Sequence, residues 1–298
     1  EAAGASTLWV ASYLCQREPI AVGALALAAS QRLNVALMAM SPYSVHPIYA
    51  TMAAATLDEY FPGRVELCFG VGAPRDLEAA GLEAPQPLRT LREAIQLSRA
   101  LLAGELVKYQ GQRFKIHDRR LATGARSLPI VLAASGPQML ELAGAEADGV
   151  LISAATSPAF IRWTLEHVAR GEAQSGRKVR RIALVYASVD QQEKAARDRL
   201  RRMLAFILRG AHHARNLQLG GTVLDQAALA AAFASEDWAS VERLVTDDVV
   251  RRHTASGTPE QVREAIAGYL AVGLDEIVIA GAAASPSLSW ILETAQGR

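Results

Sequence analysis

Apolar and polar residues fall along this chain in alternating blocks, and the blocks change period as they alternate. Residues 8–12 form a short run of nearly continuous apolar character, and a helical stretch over 18–30 follows it. Residues 35–40 repeat the strand pattern and 47–61 the helical one, with Pro47 at the first turn, where a missing amide hydrogen costs nothing. The segment "RVELCFGVG", 64–72, reads as a strand that ends in glycines. Leu91, Ile95, Leu97, Leu101 and Leu102 then place one broad apolar stripe on a helix over 88–103. The rhythm breaks at "KYQGQRFKIHDRRL", 108–121, which fits a small hairpin or a loop excursion. It resumes with a strand over 129–135, a helix over 138–147, and strands over 149–155 and 181–190 separated by a helix over 158–174. A long helix covers 191–210, and 211–255 reads as a mostly helical, polar insertion. In "GTPEQVREAIAGYLAVG", Thr258 is placed as N-cap, Pro259 as first helical residue and Gln261 as the residue that bonds back. The strand "DEIVIAG" and the helix "SWILETA" close the chain.

That order gives seven strand–helix units with mostly all-apolar strands, the pattern of a parallel sheet covered on both faces. The expected fold class is α/β, a (β/α)8 TIM barrel with insertions, in one domain over 1–298 with the helical insertion at about 211–255. A barrel needs eight units, and "EAAGAS" resembles the tail of a helix entering a strand, so one strand–helix unit is expected to precede Glu1. An open doubly wound sheet is the competing architecture.

Composition narrows the partners. Half of the chain is hydrophobic, 51%, and only 6% aromatic, which points to closely packed alanine-rich helices. The net charge of +1 is spread along the chain, so no basic face of the size that nucleic-acid backbones require is expected. Cys15 and Cys68 form neither a metal-ligand spacing nor a disulfide framework, and no metal is expected. The longest apolar run, 20–30, is too short to span a bilayer and follows the acidic Glu18, so the expectation is a cytoplasmic protein with no membrane contact.

The strand ends share a composition. Ser12, Ser41, Gly70 with Gly72, Ala134 with Ser135 and Gly136, Ser153 and Ser188 close successive strands, and small residues on one rim leave room for a flat ligand. In "AASGPQML" a strand runs through Ser135-Gly136-Pro137 straight into a helix. The amides of Gln138 and Met139 are expected to be free there and to favour an anion such as phosphate. "GVGAPRD" lacks the third glycine of a dinucleotide fingerprint, because Arg75 stands in its place. His46 reads as a capping or packing residue, His212–His213 as a solvated pair, and "RDRLRR", 197–202, as a solvated helix face.

Taken in order, "LWVASYLCQREP", "RLNVALMAMSPYSVHPIYATMAAATLDEYFPGRVELCFGVG", "LREAIQLSRALLAGELVKYQGQRFKI", "PIVLAASGPQMLELAGAEADGVLIS" and "SGTPEQVREAIAGYLAVGLDEIVI" resemble the bacterial luciferase-like superfamily. The likeness is to its coenzyme F420-dependent oxidoreductase branch, which includes methylenetetrahydromethanopterin reductase. The resemblance implies a barrel, hydride transfer to or from a small organic substrate, and a homodimer. Its cofactor would be F420, with FMN and a monooxygenase reaction as the alternative. It also implies a ring lying over Ser12, Met38, Ala39, Met40 and Ser41, with a non-prolyl cis peptide at Met38–Ala39. The phosphate-bearing tail would lie over Ala134, Ser135, Gly136, Pro137 and Gln138, and Gly70, Gly72 and Ser153 would edge the pocket. Family members carry an acid–histidine pair after the first of these strands, and some an acid just after "GVG". Here Ser12 and Tyr13, and Ala73, stand at those positions. Tyr13 and Arg17 are then the catalytic candidates, with Arg75 as a further assistant. A degenerate barrel that binds cofactor without turnover is the third reading. The two alanine-rich helices at 18–30 and 47–61 are expected to form a two-fold dimer interface, since a helix apolar on several faces should be covered on several faces.

Overall fold

The computed structural model describes residues 1–281 and 288–297. Two compact units emerge. The first comprises Ala5–Leu151 and His167–Arg180, together with Glu1; the second comprises Ala2–Gly4, Ile152–Glu166 and Arg181–Arg298.

In the first unit, strands β1 (Thr7–Ala11), β2 (Asn34–Met40), β3 (Val65–Phe69), β6 (Ile130–Ala134) and β7 (Gly149–Ile152) lie side by side in that order. The registers run Thr7 with Asn34, Val35 with Val65 and Leu67 with Ile130, all parallel. Every residue of β3 and β7 is buried, as strands covered on both faces must be. Helices Pro19–Ala28, Pro47–Tyr60, Pro87–Leu102 and Pro137–Glu146 alternate with the strands, each with proline in its first turn. The stripe foreseen on the helix Pro87–Leu102 is buried throughout, each fully buried leucine or isoleucine stabilising by roughly 1.5–3 kcal/mol.

The excursion after that helix is a hairpin of β4 (Val107–Gln110) and β5 (Lys115–Arg119). Glu93, buried on the helix, holds its turn: the carboxylate accepts amide hydrogens from Gln112, Arg113 and Phe114 at 3.0, 2.8 and 3.2 Å. Burial works against the charged form, but these three amides outweigh it and leave the Glu93 carboxyl below the ordinary glutamate range. Because the folded group titrates below the unfolded one, its contribution is complete above the unfolded value and disappears as pH falls through the folded one. Glu93→Gln is therefore expected to cost about 1.5–3 kcal/mol at neutral pH, the worth of hydrogen bonds to a charged acceptor. In chemical denaturation the gap between parent and variant should close as the solution is acidified below pH ~4.

The second unit is built on β8 (Arg180–Val189). Its Ile182–Tyr186 stretch pairs in parallel with β10 (Glu276–Ala280), and Ala187–Val189 pairs with β9 (Ala255–Gly257). The three-residue β9 is too short and too poor in bulky residues to register in the apolar pattern. With it the strands of this sheet number eight among the described residues.

Three expectations for this unit need correction. The 211–255 segment is helical but not simply polar: Leu217, Leu229, Val241, Val245, Val249 and Val250 bury against Leu204 and Leu208 of the helix Glu193–Leu208. Arg197 and Arg201 are buried, not part of a solvated face, because Arg201 pairs with Asp198 and Asp247, and Arg197 with Glu193. His213 is buried and only His212 exposed; burial, then the neighbouring His212 and His253, push the His213 imidazole down to about 4.

Candidate active site

At the C-terminal ends of β2, β3 and β6 the first unit presents a floor of very small side chains. A Cβ added at Gly70 would stand 2.8 Å from the Ala39 Cβ and 3.3 Å from that of Ala133, so three neighbouring strands meet there through Ala39, Gly70 and Ala133. Ala39 and Ala133 remain partly accessible while Met40 is buried. The Met38–Ala39 peptide is cis, and the β2–β3 register shifts between Leu37 and Met40. Ser12 continues β1, donating its amide hydrogen to the Met38 carbonyl.

Ser41 is engaged in building this rim. It is buried, its hydroxyl donates to the Val71 carbonyl at 2.6 Å, and its oxygen accepts from the Tyr43 amide at 3.3 Å. Gly72, at φ +97°, packs its α-carbon over that hydroxyl, 3.1 Å from where a Cβ would lie. A side chain at position 72 would meet both the left-handed backbone and Ser41.

Beyond β6 the chain turns over Ser135 and Gly136 into the helix Pro137–Glu146, and residues 135–138 are all exposed. No side chain caps this helix. The Met139 amide is not free as expected: it bonds back to the Gly136 carbonyl at 3.0 Å, as does that of Leu140, which tightens the first turn. Among the described residues Gln138 N–H has no such partner. A Cβ at Gly136 would meet nothing within 4 Å, so that edge opens to solvent. Beside Gln138 lies a shallow cleft of about 420 Å³ whose other walls are Gln86, Pro87, Leu88, Arg89 and Arg92, from the start of the helix Pro87–Leu102. Arg92 also pairs with Glu146 at 2.8 Å, and Arg89 is exposed. Sequence reading missed the two arginines, although their spacing of three already put them on one face of a helical first turn.

Tyr13 stands exposed on the turn after β1. Partial burial of its hydroxyl, and secondly the carboxylate of Asp76, push the phenol above its ordinary value. It is therefore a proton donor at neutral pH and not a base. Asp76, in the first turn of the short helix Pro74–Ala79, is a third residue missed from sequence: it follows the glycines by four positions, not one. Arg17 is exposed ahead of the helix-capping Glu18, and no described bond links it to Ser12 or Tyr13. His46 caps the helix Pro47–Tyr60, its Nδ1 accepting from the Ile48 amide at 3.2 Å, and its ring meets Phe114 edge-on at 5.1 Å. Capping requires a neutral imidazole, and burial pushes the His46 pKa down accordingly. Ser153 closes β7 and belongs to the second unit, where its carbonyl accepts from the Thr156 hydroxyl at 3.1 Å. No cluster of three or more potential metal ligands occurs among the described residues, and no helix there is long and apolar enough to cross a membrane.

The family model of luciferase-like monooxygenases matches residues 1–276. The chain belongs to this family. This luciferase-like protein is 30% identical to a 5,10-methylenetetrahydromethanopterin reductase of Archaeoglobus fulgidus over 287 residues, 93% of the present chain and 86% of the relative. It is 26% identical over 283 residues to an F420-dependent glucose-6-phosphate dehydrogenase of Nocardia farcinica, covering 92% of this chain and 76% of that one. Among solved structures, the coenzyme F420-dependent tetrahydromethanopterin reductase of Methanopyrus kandleri matches with a TM-score of 0.89 at 22% identity, over 98% of this chain and 90% of that one. That likeness establishes the fold of this luciferase-like protein as the expected α/β barrel and excludes the open doubly wound sheet.

Proposed function

We propose that the chain is a coenzyme F420-dependent oxidoreductase that transfers hydride between the deazaflavin and a C=C, C=N or C=O bond of a small organic substrate. The observation that carries the reading is the pairing of a flat small-residue floor with an anion-ready edge on the same rim. Ala39, Gly70 and Ala133 leave no side chain standing where a planar ring would lie. The open backbone at Gly136, the unpaired Gln138 amide and the cleft with Arg89 and Arg92 suit a phosphate-bearing tail, so the residues present fit the group. Relatives named for F420 or for the pterin reduction stand behind the choice of cofactor.

When bound, the deazaflavin supplies the carbon that gives or accepts the hydride. The protein's part is position and electrostatics. Ser12, Met38 and Ala39 bed the ring, Gly70 and Gly72 keep the approach low, and residues 135–138 hold the tail, whereas the Met40 and Ala134 side chains are buried. Ser41 contributes by fixing the Val71 carbonyl rather than by touching the ligand. Tyr13 supplies a proton to the substrate atom that needs one, with partial burial, and secondly the charge of Asp76, keeping the phenol protonated, and Arg17 orients an anionic substrate group.

The family's own description favours a second reading, an FMN-dependent monooxygenase. Mixing the protein with each reduced cofactor, with and without oxygen, and following cofactor oxidation separates the two. Oxidation of reduced F420 by an organic acceptor, unaffected by oxygen, is expected. Oxygen-dependent turnover of reduced FMN establishes the monooxygenase instead, and binding with no turnover of either establishes the degenerate barrel.

A homodimer is part of the proposal. The helices Pro19–Ala28 and Pro47–Tyr60 leave Leu25, Tyr49, Met52 and Tyr60 exposed, at 71, 66, 43 and 73%. Positions 49, 52, 56 and 60 recur at helical spacing, so the three large residues among them form one outward stripe. Sedimentation at micromolar concentration is expected to show a dimer, and Met52→Glu with Tyr60→Glu a monomer. A monomeric parent would remove this part of the reading.

A further inference from the structure

The turn at the end of β2 reaches across to the wall of the cleft beside Gln138. Ser41 folds that turn. Its carbonyl accepts the amide hydrogens of Ser44 and Val45 at 3.1 and 2.9 Å, and its hydroxyl oxygen that of Tyr43 at 3.3 Å. The Tyr43 hydroxyl in turn donates to the Pro85 carbonyl, 2.8 Å away, just before the helix Pro87–Leu102. Thr90, buried in the first turn of that helix, donates its own hydroxyl to the same carbonyl at 3.3 Å. A carbonyl oxygen has two lone pairs, so both bonds form at once.

What the two hydroxyls hold is a backbone under constraint. Gln86 stands between Pro85 and Pro87 at φ +53°, a left-handed conformation rare for a residue with a Cβ. Pro87 keeps it out of the right-handed helical region, and no side chain caps the helix that it opens. A position of this kind persists where its surroundings fix it. Tyr43 and Thr90 supply that fixing one residue upstream.

The start of this helix carries Arg89 and Arg92, which with residues 86–88 and Gln138 line the cleft. Guanidinium groups in such a place suit phosphate oxygens, and both are carried by the backbone that Pro85 anchors. Tyr43, by contrast, follows the strand of Ala39 in the ring floor. One hydroxyl therefore ties the floor of very small side chains to the wall of the cleft, and every residue involved lies in the first unit.

We infer that Tyr43 is a positioning residue that sets the cleft at a fixed distance from the ring floor, so that a ring joined to a phosphate-bearing tail is bound in preference to the same ring without one. Thr90 seconds it on the same carbonyl. The inference rests on the reading that the tail lies at 135–138 and in the cleft beside them. Without the hydroxyls the helix start leaves its held position for part of the time, and affinity for the tail falls in proportion.

The test titrates four ligands: F420, the same deazaflavin lacking its phosphate-bearing tail, FMN, and riboflavin. They are added to the parent, to Tyr43→Phe, to the double variant Tyr43→Phe with Thr90→Val, and to Tyr109→Phe. The last removes a hydroxyl that bonds Gln96, farther along the same helix, at 3.2 Å. The readout is the advantage of the phosphate-bearing form over the tail-free form of whichever ring the parent binds. That advantage is expected to shrink about threefold in Tyr43→Phe, the worth of a hydrogen bond within reach of water, and about tenfold in the double variant. Affinity for the tail-free ring stays parental throughout, and Tyr109→Phe keeps the parental advantage. An undiminished advantage in the double variant overturns the inference, as does equal weakening of both forms or an equal loss in Tyr109→Phe. A parent that binds neither ring, or that gains nothing from the phosphate, refutes the underlying reading instead, an outcome distinct from variants that match a competent parent.

Discussion

Replacing Gly171 by alanine is expected to destabilise the protein more than any other single-methyl change. Gly171, on the second half of the helix Pro158–Ser175, crosses the helix Pro137–Glu146 at Gly144. A Cβ at 171 would overlap the Glu141 carbonyl oxygen and stand 2.8 Å from the Ala145 nitrogen and 2.9 Å from the Glu141 carbonyl carbon. One at 144 would overlap the Val168 carbonyl and stand 2.9 Å from the Glu172 nitrogen. All of these are backbone atoms, which cannot rotate aside as a side chain does. Two effects oppose each other. Alanine is the better helix former by about 1 kcal/mol, whereas overpacking of this kind costs typically 1–3 kcal/mol and more where nothing yields. The backbone clash wins, leaving a net loss of about 2 kcal/mol or more and a Tm lower by several degrees. Gly268→Ala on the helix Pro259–Leu270 is the control, since a Cβ there meets nothing within 4 Å. That change is expected to raise stability slightly, by up to ~1 kcal/mol. Equal melting of parent and Gly171→Ala would show that the two helices can part without cost.

The close crossing also marks where sequence stops being informative. Gly171 and Gly144 read as weak points in two helices, because the partner that makes glycine necessary is remote in sequence. Strands and helices were legible because their signal is local: continuous apolar runs of four to seven residues, stripes at helical spacing, and proline in nearly every first turn. The capping box at Thr258 and Gln261 was legible for the same reason, and both of its bonds are present. Ala255–Gly257 was not, since three small residues become a strand only through pairing with Ala187–Val189. Arg197 and Arg201 misled for a related reason. A charge run on a helix looks solvated until the acids that bury it, Asp247 among them, arrive from a segment nearly fifty residues away.

The candidate site divides along the same line. The glycines, the serine–glycine–proline turn and the cis bond position are local or carried by family motifs, and all were assignable. The hydroxyl of Ser41, committed to Val71, was not, and neither was the approach of Asp76 to Tyr13 or of Arg89 and Arg92 to Gln138. Each of these depends on which loops the strands bring together. The loss of the usual acid–histidine pair is thus read differently in three dimensions. Tyr13 retains a proton to give, and burial, with the charge of Asp76 second, strengthens its hold on that proton.

Gly136→Asp is expected to weaken cofactor binding by tenfold or more while leaving the fold at least as stable. Position 136 is the N-cap of the helix Pro137–Glu146, its φ of −93° suits any residue, and a Cβ there meets nothing. Aspartate is a better N-cap than glycine by a few tenths of a kcal/mol, and its charge favours the positive end of the helix. Its carboxylate would therefore take the Gln138 amide that the tail phosphate needs and add repulsion of its own. At ~5 Å and the dielectric of water, one charge against a singly charged phosphodiester costs about 0.8 kcal/mol, close to a factor of four, and more where the site excludes water, so repulsion and the lost amide bond together make up the expected tenfold. Salt screens this term, so the deficit should shrink between low and high ionic strength. Gly136→Asn keeps the shape and the capping without the charge, and only the smaller, salt-independent part of the loss is expected. Opposite signs in melting temperature and affinity distinguish a displaced anion from a damaged fold. An aspartate variant that binds as tightly as the parent would place the tail somewhere other than this helix start, because no arrangement of a phosphate on these amides tolerates a second negative charge without penalty.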